Sequence, residues 1–154
     1  MHFRIKGLDP APFAPLFSMD DAGLAQRRAM RKVADSMPGF PCRVALADAE
    51  PGTPVVLVNY EHLAVDSPYR ASHAIYVSAD AEPFDAVDTV PPALRERLLS
   101  LRAFDAQGMM VDADVVEGAK LEALIARLFG ETDVAYLHTH FARRGCFAAW
   151  IDRA

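Results

Sequence analysis

Two histidines and a cysteine fall within nine residues of one another near the end of the chain, in "AYLHTHFARRGCFAAW", residues 135–150. Neutral imidazoles offer lone pairs to zinc or iron, and a cysteine thiolate is the strongest nucleophile a protein carries at neutral pH. His138 and His140 are two residues apart, so on a β-strand both side chains leave the same face, shared with Tyr136. A metal site needs a third ligand from elsewhere. His62, ending the apolar run "VVLVNYEH", is the first choice, with Glu61 and Cys146 as the others. Three imidazoles leave a fourth position open for a small molecule. The second chemistry makes Cys146 a nucleophile, with His140 taking its proton or stabilising the thiolate. Against both stands a plain structural reading, in which His-x-His is a pair of partly buried imidazoles and the cysteine packs as a small hydrophobe.

Whether sulfur and imidazoles meet depends on the hairpin loop. Arg143, Arg144 and Gly145 suit a three-residue loop with glycine in the left-handed position. That register puts Cys146, Ala148 and Trp150 on the face of His138 and His140. A four-residue loop sends Cys146 to the opposite face, because side-chain direction alternates along a strand.

Other residues could bind a ligand without reacting. Arg70 and Arg102 carry planar guanidinium forks suited to carboxylate or phosphate, and Tyr60 and Tyr69 could line a pocket. Cys42 follows the rigid "PGFP" turn and reads as a core cysteine at the start of a strand. Asp105, Asp112 and Asp114 lack the glycine and closing glutamate of a calcium loop, and read as a solvated face. No phosphate-binding glycine loop is present.

The rest of the chain must build a frame for these groups. At 154 residues, 52% hydrophobic and 24% charged, it has the make-up of a single globular domain, 1–154, with a substantial core. A net charge of −5 argues against a sequence-independent nucleic-acid binder and gives no general attraction to anionic membranes, although Arg27, Arg28, Arg31 and Lys32 form a local basic group. The start, "MHFRIKGLDP", has no apolar run after its basic residues, and no segment is apolar enough to span a bilayer. The expectation is a cytoplasmic protein with free thiols and a small-molecule ligand.

Strands are expected at "FRIKGL", "CRVALAD", "TPVVLVNYEH", "HAIYVS" and "DVAYLHTHF" with "CFAAWID", and as a hairpin in "RLLSLRAFDAQGMMVDADVV" around Asp105–Gly108. In that hairpin Leu99, Leu101 and Ala103 point one way and Ser100, Arg102 and Phe104 the other. "CRVALAD" and "TPVVLVNYEH" are expected to pair across "AEPG". Short helices fit "PFAPLF" and "DDAGLAQRRA", the second capped by Asp20 or Asp21, and one helical turn fits "VPPALRER". In "EGAKLEALIARLFG", residues 117–130, Leu121, Leu124, Ile125, Leu128 and Phe129 make one helical stripe, and Gly130 suits a left-handed residue after its end. The fold class is therefore α+β: a largely antiparallel sheet, which could be strongly curved or barrel-like, with the 117–130 helix covering it and short helices near the N-terminus.

Taken together, "FRIKGLDPAPFAPLF", "PGFPCRVALADAEPG", "VVLVNYEHL", "SPYRASHAIYV", "SLRAFDAQGMMVDADVVEG" and "YLHTHFARRGCFAAWIDRA" resemble the bacterial proteins grouped as domain of unknown function 1203. The resemblance runs along nearly the whole chain and implies a compact bacterial protein, without an activity or a catalytic residue to carry over. Relatives are expected to read HxHN at the terminal strand; this chain has Phe141 after His140. Three functions remain open at this level. One is a small-molecule site held by His62, His138 and His140 with a divalent zinc or iron ion. Another is a thiol enzyme using Cys146 with His140. The third is a non-catalytic binding or interaction domain in which these side chains are structural.

Overall fold

The computed structural model describes residues 1–154. In chain order the elements are β1 (Phe3–Lys6), a 3-10 turn (Ala14–Ser18), α1 (Asp21–Gln26), β2 (Ala29–Val33), β3 (Pro41–Cys42) and β4 (Ala47–Asp48). There follow β5 (Pro54–Leu63), β6 (Ala71–Ser78), β7 (Asp85–Val87), α2 (Pro92–Arg95), β8 (Leu98–Phe104) and β9 (Met110–Glu117). A second 3-10 turn (Gly118–Lys120) leads into α3 (Leu121–Leu128), and β10 (Tyr136–Phe141) and β11 (Phe147–Arg153) close the chain. The strands form two open sheets, with orders β7-β1-β11-β10-β8-β9 and β2-β5-β6-β3-β4. All pairings are antiparallel except β3 with β6. The class is α+β as expected, but neither sheet closes or curls into a barrel. The strands divide between two sheets, each of which keeps edge strands.

The main core lies under one face of the first sheet. Leu99, Leu101 and Ala103 of β8 and Leu137 of β10 meet Leu121, Leu124, Ile125 and Leu128 of α3. The helical stripe and the strand alternation thus bury against each other. Helical hydrogen bonding runs on to Gly130, whose N–H donates to the Ala126 and Arg127 carbonyls, so Gly130 is not left-handed as the sequence suggested. A smaller core gathers Phe13, Leu16, Leu24, Cys42, Val44 and, from β5, Val56 and Val58 around the second sheet.

Two local expectations are overturned. "CRVALAD" does not pair with β5. It folds on itself as the tiny β3–β4 ribbon, and the neighbours of β5 are β2 and β6. The partner of β5 on its outer side is a stretch for which no strand was expected: α1, expected to run to Ala29, stops at Gln26, Arg28 takes a left-handed φ of 51°, and residues 29–33 run back as an edge strand. That strand is mostly exposed, so it shows no alternation of apolar and polar residues to read. The caps and turns were better marked. Asp20 accepts from the Gly23 N–H at 2.8 Å, and Asp105 accepts from the N–H groups of Gln107 and Met109, both at 2.9 Å. Asp112 and Asp114 lie on the surface, both bonded by Arg127.

Ile125→Ala should lower stability by about 2–5 kcal/mol, because it empties a fully enclosed site between α3 and the first sheet. Asp114→Ala, which removes one exposed ion pair, should cost no more than about 1 kcal/mol. Urea unfolding of both variants checks the contrast.

Candidate functional site

The face of the first sheet turned away from α3 carries the aromatic and imidazole groups. On β10, Tyr136, His138 and His140 lie opposite Phe104, Arg102 and Ser100 of β8. On the other side His138 pairs with Trp150 and His140 with Phe147 of β11. The residues between them, Leu137, Thr139 and Phe141, turn toward the helix-covered side or the ladder; Thr139 Oγ1 donates to the Ala149 carbonyl at 3.2 Å. His-x-His on a strand therefore does what its spacing dictates.

His62 arrives from the second sheet. Glu61 pairs with Ser72 and Leu63 with Ala71, so His62 is an extra residue in β5, a β-bulge. A bulge breaks the alternation and re-aims a side chain. The His62 ring lies 5.8 Å from that of His138 and 5.0 Å from that of His140, centroid to centroid. It stacks nearly parallel on the Phe147 ring at 5.2 Å, and Tyr60 touches the same phenyl ring at 6.4 Å.

One nitrogen from each of His62, His138 and His140 lies within 4.8 Å of the others, and all three residues are buried. Ligand nitrogens around a tetrahedral zinc stand about 3.3 Å apart, given bonds of about 2.0–2.1 Å. The present spacing is wider than that, so the rings would have to turn inward to share one ion. The hydrogen bonding is incomplete in a telling way. His140 Nδ1 lies 3.0 Å from the Gly145 carbonyl oxygen, which can only accept, so Nδ1 carries the proton and Nε2 presents its lone pair. His140 Nε2, His62 Nδ1 and both nitrogens of the fully enclosed His138 have no partner. Buried polar atoms are rarely left so. The Tyr136 hydroxyl, on the same face, is also buried without a partner.

Burial holds these rings neutral. It pushes His138 down to about 2, with His140, His62 and Arg102 adding to the effect. His140 falls to about 3, again mainly through burial, against an opposing pull from its bond to Gly145. His62, with 9% of its surface exposed, falls to about 4 through burial and the charge of Arg102. Neutral imidazole is the form that binds metal. Arg102 is half-buried, and desolvation alone lowers its pKa, with no carboxylate beside it.

The remaining expected residues scatter. Arg70 grips Glu61 in a two-point ion pair on the surface, at 2.6 and 3.0 Å, which occupies both the proposed anion anchor and the alternative metal ligand. Tyr60 packs between Phe13 and Phe147, and Tyr69 sits edge-on to Phe104. Cys42 is buried in the second core, as its position suggested.

Cys146 does not join the histidines. The hairpin loop has four residues, 142–145: the Phe141 N–H donates to the Cys146 carbonyl and the Gly145 N–H to the Phe141 carbonyl. Gly145 is left-handed at φ 73°, as foreseen, but the loop is one residue longer. Cys146 is thereby paired with Phe141 and shares its face, within the main apolar cluster and against Arg43. A second bulge follows, since Thr139 pairs with Ala149 while His140 pairs with Phe147. Phe147, overlooked in the sequence, is the residue every ring of the cluster touches. Arg43 follows Cys42 in the sequence, where it could have acted on that thiol, but its guanidinium reaches Cys146 instead, 103 residues away, and no local pattern connects the two.

A family model described as "Protein of unknown function (DUF1203)" matches residues 39–153, and the chain belongs to that family. No curated protein and no solved structure matches it.

If the three imidazoles are held neutral by burial, acid should destabilise the metal-free protein. In the unfolded chain they take up protons near pH 6.5; in the fold they resist until about pH 4 or below. Between these limits the unfolded state binds more protons, so stability is full above 6.5 and falls as pH drops through the window, by up to ~1.4 kcal/mol per pH unit for each imidazole. His138→Phe should make that slope shallower by about one imidazole's share. Urea unfolding between pH 5 and 6.5 measures it; an unchanged slope would show that His138 is not kept neutral by the fold.

Proposed function

We propose that this member of the family is a divalent-metal protein in which His62, His138 and His140 hold a zinc or iron ion, and that the ion and Arg102 together bind a small anionic molecule. The observation that carries this reading is the set of converging, buried ring nitrogens without partners. Unsatisfied buried nitrogens cost free energy, and a metal ion would satisfy one nitrogen on each of the three rings at once. The Gly145 carbonyl adds the usual support behind a metal-binding histidine, fixing tautomer and ring direction.

Charge identifies the class of ligand. Three neutral imidazoles leave a bound dication uncompensated, and Arg102 adds another positive charge on the same sheet face. No carboxylate belongs to the cluster. A buried centre of this kind, beside a half-buried arginine, favours an anionic ligand such as a small carboxylate, with one atom at the open coordination position and the guanidinium against its other end. The aromatic surround of Phe147, Trp150, Tyr136 and Phe104 limits water around the ion and strengthens that attraction.

Untagged protein should therefore contain close to one equivalent of zinc or iron by elemental analysis. After chelation it should take up one equivalent of either metal, or of cobalt(II) as a spectroscopic probe, with a rise in Tm. His138→Ala and His140→Ala should each weaken uptake by more than the roughly 10–100-fold that loss of a supporting contact costs. Arg102→Gln should act in opposite directions: tighter metal binding in the absence of anions, because a like charge is gone, and weaker binding of acetate to the metal-loaded protein. Failure of the chelated protein to take up any of the three metals would end this reading.

A further inference from the structure

The opposite face of the same hairpin holds a second arrangement, independent of the histidine cluster. Arg43 is 2% exposed, yet no carboxylate reaches it. Its Nε donates to the Phe147 carbonyl at 2.7 Å, one Nη to the Pro41 carbonyl, and the other to Cys146 Sγ at 3.1 Å. Burial lowers its pKa to about 10, opposed by the sulfurs of Cys146 and Cys42, so it stays charged at neutral pH. A buried cation without a counter-charge is costly, and such a group is normally paired.

Arg43 and Cys146 also line a cavity of about 700 Å³, with Arg97, Arg143, Arg144 and His73 around it. Arg97 is already satisfied by Asp48, at 2.7 Å. Arg143 and Arg144 stand exposed on the hairpin loop, directly before Gly145 and Cys146. Glu96 and Glu117 lie on the cavity wall, but neither is bonded to Arg43, Arg143 or Arg144. An anion entering this cleft meets three guanidinium groups free of carboxylate partners, with the Cys146 sulfur among them.

We propose that this cleft binds small carboxylates and delivers them to Cys146, making it a charge-selective thiol site built on Arg43. The reaction it supports is displacement at an electrophilic carbon. The thiol proton passes to solvent, sulfur forms a bond to that carbon, and the carbon's bond to its leaving group breaks as the group departs with the electron pair. Arg43 positions the sulfur, and Arg143 with Arg144 attracts the carboxylate.

The test uses two alkylating agents of nearly equal size, iodoacetate, which is anionic, and iodoacetamide, which is neutral. In each case a C–S bond forms and iodide leaves. Labelling of Cys146 in the native full-length chain is followed by peptide mass mapping, and the iodoacetate-to-iodoacetamide rate ratio is compared with that of the same cysteine in urea. The native ratio should exceed the unfolded one by about tenfold or more, as focusing by like charges in a cleft produces. It should collapse toward the unfolded value at high ionic strength and in the Arg143→Ala/Arg144→Ala double variant, whose changes lie on the exposed loop. Inorganic phosphate should slow native labelling, and Cys42, outside the cavity, should stay unlabelled. A native ratio equal to the unfolded one, a high ratio insensitive to both salt and the double variant, or no native labelling of Cys146 by either reagent would each overturn the proposal.

Discussion

The alternation of side chains along the β10–β11 ribbon, and the places where it slips, set the position of every group that could do chemistry in this protein. A strand interior to a sheet has only two directions to offer. Here one of them meets α3 and the other meets β5 of the second sheet. His138 and His140 take the second direction, and Leu137 and Phe141 the first. The four-residue loop then returns the chain so that Cys146 faces with Phe141, and the bulge after it restores Phe147 to the histidine side. Shortening the loop by one residue would exchange these places.

The same ribbon ties its two faces together. Phe147 stacks its ring on His62 while its carbonyl accepts from Arg43. Gly145 adopts a backbone conformation that few residues other than glycine tolerate, and its carbonyl meets His140 while the next residue carries the thiol. A cluster of neutral imidazoles and a buried guanidinium thus lie back to back across one layer of backbone. Each is expensive to bury, for different reasons: the rings lack hydrogen-bond partners, and the arginine lacks a counter-ion. The large apolar core between α3 and the first sheet offsets that cost.

Much of the frame was legible in the chain. The α3 stripe, the β8–β9 turn at Asp105–Gly108 and the Asp20 cap follow from periodicity and turn chemistry that act over a few residues. His138 and His140 sharing a face follows from a spacing of two, and His62 was the first choice as their companion. Other features had no local signal. β2 is an exposed edge strand without alternation, and "CRVALAD" has enough β-forming residues to suggest a partner it does not take. Gly145 was recognised as left-handed, but a left-handed glycine closes loops of three and of four residues alike, and the wrong length reversed the direction assigned to Cys146.

By itself, the sequence determined the kinds of element, the residues that share a strand or helix face, and the histidines available to a metal. Those properties depend on backbone periods and on steric preferences that each residue carries with it. Tertiary structure decided which faces meet. The approach of β5 to β10 needed a bulge that re-aims His62, and the pairing of Arg43 with Cys146 joins residues 103 apart. Loop length, bulge position and sheet-to-sheet packing depend on free-energy differences summed over the whole fold, and so no short stretch of residues contains them.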